Sequence, residues 1–480
     1  MLVSGGAAGA LALWPRPARG AARAASEGVV AVRLLERYHP GLLRYQAAGA
    51  WAREAAAFRA RFDRASGPGA RFLALARLLG AIRCGHTHVN PHNQSAAMIE
   101  RHFAQGARLL PFDFEWRGGR MLVTADPHGV GLAPGQEVAT IEGAGVAAIQ
   151  SALLPLTRAD GDLDHRRRAL LGVGRARRFE TFDWLAAPLA RYGPSVRLGL
   201  GGRGHRLVHR RVPTITLAER RAAAPPALAR DADQPWWRLE RRDGVAILTM
   251  PSWATFNTRW DWRGWLEAAL DEITTDATRG LVVDLRGNEG GYFDCGRALL
   301  ERLVAAPTPM PAGDRLTRLG AVAEEDRPYL SSWDDSLYDI GRDFPRVGGG
   351  LRRVPEAPGE RVIRPRGRRF TGPVAVVVGP DNASATGIFA EVVKAAGLGL
   401  LVGQETGLNR RGSNGDAFFI ARLPGADLAF DIPLVAWHRA GFHPDRGTLP
   451  DVPVPPGAIR HGEGLDVMLE AALASLGQRR

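Results

Sequence analysis

Four runs in the second half of the chain can be buried only inside a sheet covered on both faces: 245–250 (VAILTM), 280–288 (GLVVDLRGN), 373–380 (PVAVVVGP) and 397–404 (GLGLLVGQ). Their apolar residues are consecutive where a strand with one wet face would alternate apolar with polar. Amphipathic stretches at 261–274, 295–305 and 385–396 fall between them, and a further strand is expected at 427–437. Alternation of this kind predicts an α/β layer structure built on a buried sheet.

The first half reads differently. Val30, Leu34, Leu35, Leu42 and Leu43 recur at helical spacing, interrupted at His39-Pro40, and further helices are expected over 50–64 and 69–82. Gly-punctuated short β-rich runs fill 107–156, including a strand and turn at 135–143, and Thr214–Leu217 is a candidate strand. The Pro/Ala stretch 223–235 reads as a linker. These shifts predict a helical region over 27–106 carrying the Cys84-Gly85-His86-Thr87-His88 loop, a β-rich module with linker over 107–235, and the large α/β domain over 236–480. Residues 1–26 contain a mild Gly/Ala/Leu stretch and a small-residue tract like those of a secretory signal, without the positive n-region. Read as a signal remnant they place the protein outside the cytoplasm, in the periplasm or secreted; read as an Ala-rich tail they leave it cytoplasmic.

A formal charge of +13 invites a polyanion partner. Lys394 is the only lysine, however, and the other 62 basic residues are arginines scattered among acids along the whole chain. No stripe or nucleic-acid module is visible, so nucleic-acid binding is not expected. No run approaches the roughly 20 apolar residues that cross a bilayer, so an integral membrane protein is not expected either. Cys84 and Cys295 are too few for a disulfide framework and read as buried free thiols. Trp253, Phe256, Trp260 and Trp262 read as core, with a share in lining a groove.

Two segments carry local chemical signals. In 373–397 a strand ends at Gly379-Pro380 and Ser384 stands where the following helix begins. A serine there sits beside unpaired backbone N–H groups and the positive end of the helix dipole, which suits a nucleophile and equally suits an N-cap. In 284–291 (DLRGNEGG) a strand runs into three glycines, which can turn N–H groups toward a ligand or merely make a tight connection, with Asp284, Arg286 and Asn288 bracing it.

Asp-Leu-Arg-x-Asn-x-Gly-Gly followed about a hundred residues later by Asn-x-Ser-Ala resembles the S41 serine peptidases, which include the tail-specific processing proteases and the tricorn core protease. The resemblance extends through 402–407 (VGQETG), 445–454 (DRGTLPDVPV) and 81–89 (AIRCGHTHV), while 107–156 looks like a degenerate PDZ-type module. It implies a crotonase/ClpP-like α/β peptidase core, an N-terminal helical region, a small PDZ-like β-rich module, a polypeptide substrate and no cofactor. It also implies Ser384 as nucleophile, with the oxyanion held by the N–H of Ala385 and that of Gly290 or Gly291.

The lysine count bears on the base. Processing proteases of this family use a Ser-Lys dyad, but Asn409 occupies the matching position. Lys394 lies ten residues beyond Ser384 in the same expected helix, roughly 15 Å at about 1.5 Å per residue. That is outside the reach of a base. The tricorn-like branch uses a histidine from the N-terminal half, which implies His86. Gly85 stands where that pattern has a serine, and Gly387 where the family usually has Glu. For the orienting acid the resemblance offers Asp445, with Glu405 as the alternative. His86, His88 and His92 could also be read as zinc ligands, but no H-E-x-x-H occurs anywhere in the chain and no metal is expected. The implied function is a Ser-His serine endopeptidase; the alternative is a non-catalytic S41-like protein that binds peptides or other ligands.

Overall fold

The computed structural model describes residues 26–104, 108–174, 177–190, 192–201, 206–223, 233–275, 277–439, 441–455 and 466–478. The signal-like stretch, apart from Ser26, and most of the 223–235 linker lie outside these residues.

The buried runs form one six-stranded sheet: β1 (Arg238–Arg242), β2 (Val245–Thr249), β3 (Gly280–Asp284), β4 (Val374–Val378), β5 (Leu400–Gly403) and β6 (Val452–Pro453), in the spatial order 6-5-4-3-2-1. The β1–β2 pair is antiparallel and every other pair parallel. Because side chains alternate across a strand, β3 and β4 each feed two cores. Leu281, Val283, Val374, Val376 and Val378 pack with helices Trp262–Ile273, Phe293–Glu301 and Ser384–Ala395. Val282, Ala375 and Val377 pack with Met468 and Ala472 of the helix Val467–Ser475 on the other side. Both faces are therefore dry, which is why the runs are continuous.

The N-terminal helices are α1 (Glu27–Tyr38), α2 (Ala48–Arg64) and α3 (Pro68–Ile82). Their apolar faces share a core with a second sheet, whose centre is the hairpin Asn414–Leu423 and Leu428–His438. Tyr38 and Phe419 meet edge to face at 6.1 Å, and the buried Asp326 binds Arg33, Arg37 and the Tyr38 hydroxyl at 2.7–2.8 Å. The polar stretch 311–370 supplies this sheet with the short strands Asp314–Thr317, Leu330–Ser331, Arg346–Gly348 and Leu351–Arg353.

A third sheet spans 113–213: Asp113–Arg117, Arg120–Ala125, Glu137–Ile141, Ser195–Leu200 and Val208–Pro213 pair in that order, with Ala144–Gly145 alongside Glu137–Ile141. The expected strand at Thr214–Leu217 is corrected. The strand ends at Pro213, Ile215 makes only an isolated bridge to Leu109, and Thr216 caps the helix Leu217–Ala222 in a reciprocal capping box with Glu219.

Candidate active site

Parallel pairing of β3 with β4 brings their carboxyl ends to the same edge of the sheet, so the turns that follow, 285–291 and 379–383, lie side by side. In open α/β sheets ligands bind outside such strand ends. Two buried side chains, Asn382 and Thr386, join the turns, and a third, Asn288, braces its own turn. Asn382 accepts from the Gly379 N–H (2.7 Å) and donates to the carbonyls of Leu285 (2.6 Å) and Asn288 (3.1 Å). The Thr386 hydroxyl bonds the Asn288 and Ala383 carbonyls at 2.9 Å. Asn288 donates to the Met250 carbonyl (2.7 Å) and accepts from the Gly290 N–H (2.9 Å). Arg286 pairs with Asp284, part of the brace expected from the sequence, and also with Asp466, which was not foreseen.

Ser384 opens the helix Ser384–Ala395 with φ +49°, a left-handed conformation that a non-glycine residue holds only when its surroundings impose it. The Ala385 N–H lies in the first turn and has no intrahelical acceptor. Opposite, Gly290 has φ +104°, and a Cβ placed on it would stand 3.0 Å from the Ala383 carbonyl oxygen, the Ala385 nitrogen and the Ser384 Cβ. Gly291, at φ +133°, would drive a Cβ into the Trp253 carbonyl group. Only glycines fit either position.

His86 lies just beyond α3 in a loop held at several points. The Gly85 N–H donates to Asp160 (2.8 Å), the Gly85 carbonyl accepts from Arg158 (3.0 Å), Thr87 bonds the buried His39 (2.9 Å), and Asn414 reaches the Cys84 thiol (3.2 Å). The His86 ring meets Phe418 at 5.8 Å. Burial, with the Arg158 and Arg166 guanidinium groups adding to it, pushes His86 down to about 3 against the opposing pull of Glu289. Its imidazole is therefore neutral throughout the physiological range.

Ser384, Ala385, Gly290, Gly291 and His86 all line one cavity of about 2500 Å³. Phe256, packed on Tyr292, also lines it, whereas Trp253 is fully buried beneath Phe389. The two acids considered for orienting His86 bond to other groups. Asp445 accepts from Asn409 (2.5 Å) and from the Asp162 N–H (2.9 Å) and pairs with Arg411; Glu405 accepts from the Gly447 N–H. Neither is among the residues lining the cavity. Lys394 is bonded to Asp451 and the Leu449 carbonyl and is likewise absent from that wall. Among the described residues no group of three or more His, Cys, Asp or Glu side chains is arranged to hold a metal ion, and no helix is long and apolar enough to cross a membrane.

Sequence reasoning missed Thr386, Phe418 and the acid that does face His86, Glu289. Thr386, next to the Ser-Ala pair, and Glu289, inside the 284–291 turn, were within reach by position; Phe418 comes from a segment brought to the site only by the fold.

Residues 244–416 match the family model described as peptidase family S41. Among solved structures, mature CPAF complexed with lactacystin is 14% identical with a TM-score of 0.60, the alignment covering 94% of this chain and 96% of that one. A CPAF mutant is likewise 14% identical with a TM-score of 0.63, covering 94% and 95%. At this identity the likeness is one of fold. No curated protein matches the chain in sequence.

Proposed function

We propose, on the match of residues 244–416 to the peptidase family S41 model, that the protein is a serine-type endopeptidase working through Ser384 and His86. The observation that carries this reading is the left-handed Ser384 in contact range of Gly290. A strained serine at a helix start, with a glycine turn pressed against it, leaves room for a carbonyl carbon at Oγ and its oxygen among backbone N–H groups.

In this mechanism neutral His86 takes the hydroxyl proton as Ser384 Oγ attacks the scissile carbonyl, then returns it to the leaving amine. Water hydrolyses the resulting acyl-enzyme by the same route. The oxyanion is held by the Ala385 N–H and, of the two glycines, by Gly291, because the Gly290 N–H already donates to Asn288. The bonds that clamp the loop around His86 do the orienting, and Asp445 is assigned to bracing Asn409 and the 160–162 loop. The cavity exceeds the roughly 300–1,000 Å³ of small-molecule sites and suits an extended polypeptide. We read the core as crotonase/ClpP-like and the sheet over 113–213 as a PDZ-like module.

The rival reading is a protein that binds peptide in this cavity without cleaving it. A serine-directed fluorophosphonate separates the two. Covalent labelling of the wild type, unaffected by chelator and lost in Ser384→Ala, together with peptide hydrolysis lost in the same variant, supports the peptidase. Peptide binding with neither labelling nor turnover supports the rival. Lactacystin, the ligand named in the CPAF complex, is a second compound whose effect on labelling can be compared between wild type and Ser384→Ala.

A further inference from the structure

Glu289 stands inside the Asn288–Gly291 turn and carries a charge into the cavity wall. Three arginines converge on its carboxylate. Arg158 Nη2 and Arg166 Nη2 bind Oε2 at 2.5 and 3.0 Å, and Arg177 Nε binds Oε1 at 3.1 Å. Each arginine has a second attachment. Arg158 donates to the Gly85 carbonyl, one residue before His86. Arg166, almost wholly buried, donates to the carbonyls of Pro380 (2.7 Å) and Asp381 (3.0 Å), three to four residues before Ser384. Arg177 pairs with the Asp381 carboxylate at 2.8 Å. Glu289 itself is bonded through its own backbone to Gly290.

We propose that Glu289 is a positioning residue of the proposed peptidase, a carboxylate hub that sets the His86 loop, the Ser384 turn and the Gly290-Gly291 turn at fixed spacing through Arg158, Arg166 and Arg177. The proposal rests on the peptidase reading of the same site. Those three catalytic segments belong to stretches far apart in sequence, and the arginines come from a fourth, 158–177. Apart from the hub, the bonds described above join the serine turn to the glycine turn, through Asn382 and Thr386, but do not reach His86. The hub does. Its charge balance is close: three guanidinium groups meet Glu289 and Asp381, with Glu180 beside Arg177. The arginines hold the Glu289 carboxyl well below the usual range, against the burial that opposes them. Without that carboxylate, three cations would face one another with only Asp381 and Glu180 beside Arg177, and the Arg158 link between the turn and His86 would open.

Displacing reacting groups by about 1 Å costs on the order of 10²-fold in rate. The test is the acylation rate of Ser384 by a fluorophosphonate, with kcat and KM on a peptide and a thermal melt, in wild type, Glu289→Gln, Arg158→Gln and the double variant. We expect folded Glu289→Gln to acylate on the order of 10²-fold more slowly, with kcat reduced in step and KM within about threefold. Glu289→Asp, which keeps the charge, should recover part of the rate. The double variant should be no slower than the worse single variant, because both break the same link. An unchanged acylation rate in folded Glu289→Gln overturns the inference. So does a rise in KM at constant kcat, which would make Glu289 a substrate contact, and so do additive effects in the double variant. If Glu289→Gln does not fold, Arg158→Gln alone decides, an unchanged rate being the overturning result. Failure of the wild type to label would instead overturn the peptidase reading, and this inference with it.

Discussion

A Cβ added to Gly290 would stand 3.0 Å from the Cβ of Ser384, although 94 positions separate the two residues in the chain. The contact follows from parallel pairing of the strands that precede them, and it makes the glycine turn part of the serine's environment. Gly290→Ala should therefore push the serine turn aside and also force a side chain to φ +104°. The left-handed cost is roughly 1–2 kcal/mol, so the variant should melt lower yet still fold. Acylation by fluorophosphonate should fall on the order of 10²-fold. Normal acylation in this variant would mean the glycine turn plays no part in the chemistry.

The conformation of Ser384 gives a stability prediction independent of substrate. Serine and alanine both carry a Cβ that clashes at φ +49°, whereas glycine does not. Ser384→Gly should be more stable than Ser384→Ala by about 1 kcal/mol, with both inactive. Paired denaturant titrations measure the difference. Equal stability, or a more stable alanine variant, would show that the left-handed serine stores no strain.

What could be read before the structure was known depended on how local its cause is. The helices 27–38, 48–64 and 68–82 follow from apolar spacing, and the buried strands from runs that no half-wet sheet would contain. Ser384, His86 and the two glycines sit beside turns that residue type alone marks. Strand Asn414–Leu423 escaped because its alternation is broken by Asn414, Gly415 and Asp416, although it supplies the Phe418 that backs His86. The strand at 195–200 was masked by Arg197 and Gly199, and that at 208–213 by a run, 208–211, that is exposed on both faces at the edge of its sheet. The Glu289 cluster is illegible in principle, since its arginines lie 112–131 residues away and their pairing exists only in the folded chain.

Asp445 offers a discriminating variant. Its carboxylate is occupied by Asn409, the Asp162 N–H and Arg411, outside the wall shared by His86 and Ser384. Asp445→Asn retains one acceptor oxygen for that bracing, so peptide hydrolysis should stay within about threefold of wild type. His86→Ala should lose it by at least about 10²-fold. A loss in Asp445→Asn as deep as in His86→Ala would restore the aspartate to the catalytic network.

The pH profile of hydrolysis follows from the surroundings of His86. Its ring faces Arg158, Arg166 and Glu289, with His88 and His92 in the same wall, and burial and the guanidinium groups hold it at about 3. A base already neutral at pH 5 gains nothing between pH 5 and 7. kcat/KM should be level across the ordinary histidine range, and any acid limb in still-folded enzyme should lie below about pH 4. A limb centred near 6.5 would mean that His86 is more exposed in solution, or that another histidine is the base.

The buried His39, bonded to Thr87 and likewise pushed down to about 3, links the same loop to stability. Between about pH 6.5 and 3 the unfolded chain binds a proton at this histidine that the folded chain refuses. Stability therefore falls as pH falls through that window, by about 1.4 kcal/mol per pH unit once the unfolded histidine is fully protonated. Asp431, raised to about 6, and Glu180, raised to about 7, bind protons in the fold over part of the same range and act with the opposite sign, which masks the effect in the wild type alone. The measurement is accordingly a difference. Unfolding free energies of wild type and His39→Gln, taken from pH 7 to 4.5, should converge on acidification, the wild type losing stability relative to the glutamine variant. Parallel curves would show that His39 takes up its proton as readily in the folded protein as in the unfolded chain, and that burial does not hold it neutral.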